Sequence, residues 1–250
     1  MDKKTIAIIP ARYNSTRFPG KPLQDINGKS LIQRVYLQAL KSNVSKVVVA
    51  TDDERIFNHV FSFGGQAVMT SPNHLTGTDR CFEAYSYFAD QNFDFLLNIQ
   101  GDEPFIDPDQ INQLINILLD ENVQIATLVK KIEEKDEIFD PKEVKVVFNS
   151  ENQVLYMSRS PIPHIHQVPD HQWIHHAEFY KHIGIYGFKT TIVNDIKNLE
   201  PSKLETCENL EQLRWIEKFT MKIAITTIDT LSIDTPHDLQ EVYKYLKPEC

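Results

Sequence analysis

The chain has 250 residues with 26 Lys and Arg against 35 Asp and Glu, a formal net charge of −9, an acidic balance that repels phosphate backbones and excludes general nucleic-acid or anionic-membrane binding. The length accommodates one α/β domain with a smaller excursion. The N-terminal "MDKKTIAIIPAR" has only a short apolar run, nothing reaches the roughly 18 apolar residues of a membrane helix, and Cys81, Cys207 and Cys250 are too few and too scattered for a disulfide framework or a structural zinc site, so a soluble cytoplasmic protein without a signal peptide is expected.

In chain order, the β-rich run Thr5–Ile9 is followed by a helix from Leu31, in which Ser30 is the N-cap, Gln33 sits in capping-box register, and Ile32, Val35, Tyr36, Ala39 and Leu40 share a face. A strand over Lys46–Ala50, a helix from Asp53, a strand over Gln66–Met69, a helix near Asp79–Ala89 and a strand over Phe93–Ile99 come next. This alternation predicts βαβ units and a mainly parallel sheet flanked by helices. Asp107-Pro108 opens a further helix with Ile111, Leu114, Ile115 and Leu118 as its stripe. Beyond Gln124–Val129 the order changes to strand after strand, in "EVKVVFN", "NQVLYMSR" and "FYKHIGIYGFKT", which predicts a smaller antiparallel region covering one end of the sheet. The α/β pattern resumes in "KIAITTID" and "DTPHDLQEVYKYL". The expected division is 1–130 with 220–250 as a nucleotide-binding core, and 131–219 as a substrate and dimerisation region.

Ligands of open α/β sheets bind beyond the carboxyl ends of the strands. The stretch "IIPARYNSTRFPGKPL" runs from such an end into a loop carrying Arg12, Arg17 and Lys21 among Pro10, Pro19 and Pro22. The prolines stiffen the loop, Gly20 lets backbone come close, and two guanidinium groups with an ammonium suit a polyphosphate. Taken alone, a solvated surface loop accounts for the same residues equally well. The Walker motif fails, because Leu23 stands where its first glycine belongs before Gly28-Lys29-Ser30.

Two carboxylates are candidates for Mg²⁺, which uses one or two of them together with water and substrate phosphates. Asp102 closes the apolar strand of "FLLNIQGDEPFI", where Glu103 reads as a turn cap, and Asp234 precedes the Thr235-Pro236 start of the last helix. The alternatives are an ordinary acidic strand end and helix-terminus electrostatics. Thr76-Gly77-Thr78-Asp79-Arg80 reads as a nucleotide-contacting turn or a capped helix start, and Arg159 as a carboxylate-binding cation or a surface ion pair. Six of nine histidines fall between His164 and His182, without the spacing of a zinc motif. Among them His182 puts a polar ring on a strand face next to Tyr186. Glu208 and Glu211 face a ligand or pair with Arg214.

In their order, "IPARYNSTRFPGKPL", "VVVATDD", "TGTDR", "NIQGDEP", "VKVV", "LYMSRSPIP", "HIGIYGF", "LETCENLEQLR" and "IDTPHDL" give the chain a nearly full-length resemblance to the 3-deoxy-manno-octulosonate (Kdo) cytidylyltransferases. The resemblance implies a nucleotide-diphospho-sugar transferase fold and a homodimer that makes CMP-Kdo from CTP and Kdo with Mg²⁺, for lipopolysaccharide assembly. It also implies that Arg12 and Lys21, assisted by Arg17, hold the triphosphate, that Asp102 and Asp234 hold Mg²⁺, that Ala11 and Arg80 meet the cytidine, and that Gln100, Arg159, His182, Tyr186 and Glu208 meet the sugar. The sequence departs from the family at His164, where an aromatic residue is usual, and in "EKFTMKI", which lacks a usual glycine. An 8-amino analogue of Kdo is the alternative acceptor. A sialic-acid enzyme ranks below it for want of "IYGF" and "LEQLR", and a regulatory protein without turnover is opposed by the intact Arg12, Lys21, Asp102 and Asp234.

Overall fold

The computed structural model describes residues 3–15 and 17–245; Cys250 and Leu246, the end of the expected last helix, lie outside them. The chain forms two compact units, Met1–Asn112 with Thr230–Cys250, and Gln113–Asp229.

The first unit is built on β1 (Thr5–Ala11), whose Ile6, Ala7, Ile8 and Ile9 are all fully buried, as a parallel strand covered on both faces requires. Strands β2 (Asp25–Ile26) and β3 (Lys29–Ser30) pair around Asn27 and Gly28, whose φ angles are 49° and 79°. That is the positive-φ pair that Asn-Gly supplies to a tight hairpin. Ser30 then caps α1 (Leu31–Ala39), its Oγ accepting from the Gln33 backbone N–H at 3.2 Å. The helix stops at Ala39, so Leu40 leaves the apolar face on which it was expected and is 52 % exposed.

After β4 (Lys46–Thr51), Asp53 caps α2 (Glu54–Ser62), and β5 (Ala67–Met69) follows. Helix α3 (Gly77–Ser86) begins earlier than expected because Thr76 caps it, accepting from Asp79 N–H at 3.1 Å. Strand β6 (Phe95–Asn98) and α4 (Pro108–Leu118) come next. The strands lie in the order β6-β1-β4-β5 and all run parallel, with Ile8 opposite Asn98 and Ala11 opposite Thr51. The carboxyl ends of β1, β4 and β6 are thereby brought to one edge.

The second unit contains β7 (Ile125–Lys131), α5 (Lys135–Phe139), β8 (Lys145–Phe148), β9 (Val154–Ser158) and β10 (Tyr180–Lys189). It continues with α6 (Val193–Lys197), α7 (Lys203–Glu208), α8 (Gln212–Ile216) and β11 (Met221–Thr226). The expected antiparallel character is present in β7–β10, β10–β8 and β8–β9, whereas β11 runs parallel to β7. The His- and Pro-rich stretch before β10 is anchored by Trp173, 4 % exposed, in a cluster with Ile132, Ile138 and Phe179. His164 meets the Trp173 ring edge-on at 5.1 Å.

The chain returns to the first unit with α9 (Pro236–Tyr245). Asp238 accepts hydrogen bonds from the backbone N–H groups of Asp234 and Thr235, at 3.0 and 2.8 Å, and fixes the chain direction just ahead of the helix.

Candidate active site

The cationic loop after β1 is closed by its own backbone. The Tyr13 carbonyl accepts from Ser15 N–H at 3.0 Å and from Gly20 N–H at 2.8 Å. Gly20 takes φ +71°, and a Cβ there would stand 3.2 Å from the Tyr13 ring, so glycine is needed for both conformation and space. The Arg55 guanidinium lies 3.3 Å from the centroid of that ring and is held by Asp53, which braces the loop from α2. Lys21 then opens a single 3₁₀ turn and is 9 % exposed.

At the end of β6, Gly101 sits so close to β1 that a Cβ would lie 2.6 Å from the Pro10 carbonyl oxygen. No other residue allows this approach, which brings Gln100 and Asp102 beside Pro10 and Ala11. The segment before α9 is tied to the same turn by a bond from Ile233 N–H to the Asp102 carbonyl at 3.0 Å.

These three segments meet at the Lys21 ammonium, which donates to Asp102 Oδ2 at 2.8 Å and to Asp234 Oδ1 at 3.1 Å. Arg17 Nη1 lies 3.2 Å from Asp234 Oδ2. A pocket of about 390 Å³ opens above, lined by Ala11, Arg12, Arg17, Lys21, Gln100, Asp102 and Asp234 together with Pro10, Leu75 and Gly77. Its size is that of a small-molecule site. Arg12 is half-buried, and burial followed by the neighbouring Arg80 guanidinium pushes its pKa down, against the opposing pull of Asp52 and Asp79. A guanidinium kept charged in such a place gains by taking up an anion.

Arg80 itself stands apart from the lining residues. It is fully buried, with Nη1 2.6 Å from Thr70 Oγ1 and Nη2 2.9 Å from Asp52 Oδ2, so its side chain ties β4 and the chain after β5 to α3. Sequence reasoning underrated Glu103, which is buried beside the two aspartates rather than serving as an exposed turn cap. Burial first, and then the charge of Asp102, raise its pKa to about 7. The only sequence signal was the run of two acids in "GDEP".

The second unit carries Arg159 and Glu208 as one contacting pair and His182 and Tyr186 as another. Glu208 accepts from Ser158 Oγ–H at 2.6 Å and from Arg159 backbone N–H at 3.0 Å, and the Arg159 guanidinium is held by the Glu208 and Pro141 carbonyls at 2.8 and 3.0 Å. Arg214, weighed as a partner for Glu208, instead lies 3.6 Å from Glu205. The register of β10 shifts between Ile183 and Tyr186, with His182 before the irregularity and Tyr186 after it. Thr127 Oγ1 donates to the Ile185 carbonyl at 2.8 Å and lies 2.8 Å from His182 Nε2. With the hydroxyl proton so used, the imidazole proton belongs on Nε2 and Nδ1 is an acceptor. Tyr186 packs on His182 and, edge-on, on Trp215. Burial, then Glu211, raises its phenol pKa well above the usual value.

Burial holds the His182 pKa at about 4, so the ring stays neutral through the physiological range. Since the unfolded chain takes up this proton near pH 6.5 and the folded chain does not, stability is lost as pH falls from 6.5 towards 4, by an amount on the order of 3 kcal/mol. Chemical denaturation of the protein and of His182→Gln at both pH values should show a shallower decline in the variant; equal declines would refute the burial argument.

The chain matches the cytidylyltransferase family over residues 6–223. It is 50% identical to the 3-deoxy-manno-octulosonate cytidylyltransferase of Cytophaga hutchinsonii over 95% of each chain, and 43% identical to the 8-amino-3,8-dideoxy-manno-octulosonate cytidylyltransferase of Shewanella frigidimarina over 95% of this chain and 96% of that one. Among solved structures, that of a CMP:2-keto-3-deoxy-manno-octonic acid synthetase complexed with CTP superposes with a TM-score of 0.89 at 38% identity, over 97% of this chain and 98% of the other.

Proposed function

The chain belongs to the 3-deoxy-manno-octulosonate cytidylyltransferases, and on that premise we propose that it transfers the cytidylyl group of CTP to Kdo, giving CMP-Kdo and pyrophosphate. The observation that carries the reading is the pocket in which a stiff cationic loop faces two aspartates across one ammonium. The anomeric oxygen of Kdo forms a bond to the α-phosphorus, the bond from that phosphorus to the bridging oxygen breaks, pyrophosphate leaves, and the hydroxyl proton is released. Arg12 and Lys21, assisted by Arg17, hold the triphosphate and stabilise the charge that builds up on the departing pyrophosphate. Ala11, which lines the pocket, and the fully buried Arg80 serve the cytidine. Gln100, Arg159, His182, Tyr186 and Glu208 serve the sugar.

Asp102 and Asp234 are the residues that would hold Mg²⁺. Among the described residues no three His, Cys, Asp or Glu side chains gather as a metal site on their own. Two carboxylates converging on one cation nevertheless fit an ion that completes its octahedron with water and substrate phosphates. When bound, Mg²⁺ supplies charge neutralisation between two anionic substrates and orients the phosphate chain.

The same reading has a homodimer in the cytoplasm supplying activated Kdo to lipopolysaccharide assembly. No helix among the described residues is long and apolar enough to cross a membrane. The test is pyrophosphate release with CTP and Mg²⁺, run with Kdo, with its 8-amino analogue and with neither, and with ATP, GTP and UTP in place of CTP. Release requiring both CTP and Kdo is expected. A preference for the amino sugar would change the acceptor, and release with neither sugar would overturn the reading.

A further inference from the structure

Leu75 is the most exposed large apolar side chain among the described residues, at 89 %, and it lines the pocket above Lys21. An exposed leucine is by itself ordinary. This one is held in place from both sides. The imidazole of His74 is bonded to the Glu83 carboxylate of α3, whose Oε2 also accepts from Ser71 N–H at 2.9 Å and whose Oε1 accepts from the Tyr87 hydroxyl at 3.0 Å. On the other side Thr76 caps the same helix, its Oγ1 accepting from Asp79 N–H at 3.1 Å. The chain is therefore fastened to α3 immediately before and immediately after a side chain that it presents to solvent at the rim of a site. Two residues on, Gly77 lies against Pro10, whose Cγ would be 3.2 Å from a Cβ at that position. Leu75 thus shares the lining with the uncharged Pro10, Ala11 and Gly77, while all the charge of the pocket comes from Arg12, Arg17, Lys21, Asp102 and Asp234.

We propose that Leu75 is a nucleoside-binding residue whose side chain packs on a face of the cytosine ring of CTP. The charged part of the pocket suits phosphates and a divalent ion, which leaves the apolar part for whatever they are attached to. Of the two substrates only CTP carries a flat ring whose faces bear no hydroxyl groups; Kdo is hydroxylated over most of its surface and ends in a carboxylate. On binding, the leucine and the ring leave water together, which favours the complex. The backbone on either side is already fixed, so little further ordering opposes that gain. The inference rests on the reading that this pocket takes CTP.

The test is calorimetric titration with CTP and, separately, with inorganic tripolyphosphate, both with Mg²⁺, for the wild type, Leu75→Ala and Leu75→Met, together with steady-state kinetics. Because Leu75 is exposed, neither variant threatens the fold. Leu75→Ala is expected to weaken CTP by about 10-fold, as the loss of roughly two buried methylene groups would. Tripolyphosphate, which has the charges and no base, should bind the variant as it binds the wild type. In turnover the loss should appear in KM for CTP and not in kcat or in KM for Kdo. Leu75→Met, apolar and of similar volume, should recover most of the CTP affinity. Undiminished CTP affinity in Leu75→Ala would overturn the inference. An equal loss of tripolyphosphate would also overturn it, since Leu75 would then act through the shape of the loop. So would a rise confined to KM for Kdo, which would move the contact to the acceptor. A wild type that binds neither CTP nor tripolyphosphate would overturn the reading of the pocket itself, and this inference with it.

Discussion

Lys21→Met is expected to lower kcat/KM for CTP by about 10²- to 10³-fold, the usual cost of removing one preorganised charge from a site where negative charge develops. The ammonium is the point on which Asp102 and Asp234 converge, so its loss acts twice. The triphosphate loses a cation, and the two carboxylates are left facing each other with only the Arg17 guanidinium, 3.2 Å from Asp234, to offset their repulsion. With these carboxylates 30% and 39% exposed, solvent screens much of that repulsion, and the variant should fold, as an unchanged circular dichroism spectrum would verify. Steady-state kinetics should place the loss on CTP rather than on Kdo; the reverse pattern would remove Lys21 from the phosphate site. The variant should also bind Mn²⁺ more tightly than the wild type when CTP is absent, because a competing internal cation has been taken away. No gain would mean that the ammonium and the metal do not share these ligands.

Asp102→Asn should reduce turnover by at least about 10²-fold, for a different reason. The amide keeps the shape of the carboxylate, and Lys21 keeps its bond to Asp234, so the fold is preserved. What is lost is an anionic oxygen, which a hard divalent cation requires. CTP should bind at least as well without metal, since one negative charge beside the phosphates has gone, while the Mg²⁺ concentration for half-maximal rate rises. Turnover near that of the wild type, at ordinary Mg²⁺, would exclude Asp102 as a ligand.

How far the site was legible in the sequence differs from residue to residue. The loop of Arg12, Arg17 and Lys21 could be read because its residue types, its prolines and its place after an apolar strand are all local. Asp234 was readable for a similar reason, as the residue left outside the Thr-Pro start of a helix. Arg80 was legible only in part, because "TGTDR" shows a polar turn but not the bonds of Arg80 to Asp52 and Thr70, which come from other strand ends. Glu103 was hidden in the same way. Local spacing offered a cap, and its burial depends on a segment more than a hundred residues later in the chain. The α/β order and the antiparallel region were both evident from periodicity, but Leu40 shows its limit, since an apolar residue in step with a stripe still faces water when the helix stops one residue earlier.

The contact between Gly101 and the Pro10 carbonyl has a bearing on how this site can vary. The cationic loop after β1 and the Asp102 turn are indexed to each other by backbone touching backbone, at the ends of two strands whose hydrogen-bond ladder sets their relative height. The ruler between them is therefore the sheet lattice, which moves only in whole steps. Side chains on either arm can be exchanged without altering the distance between the cationic loop and the acid. A one-residue insertion in β1 or β6 admits no such compromise: it would turn the side chains beyond it to the opposite face and displace the loop, or the acid, by a full residue.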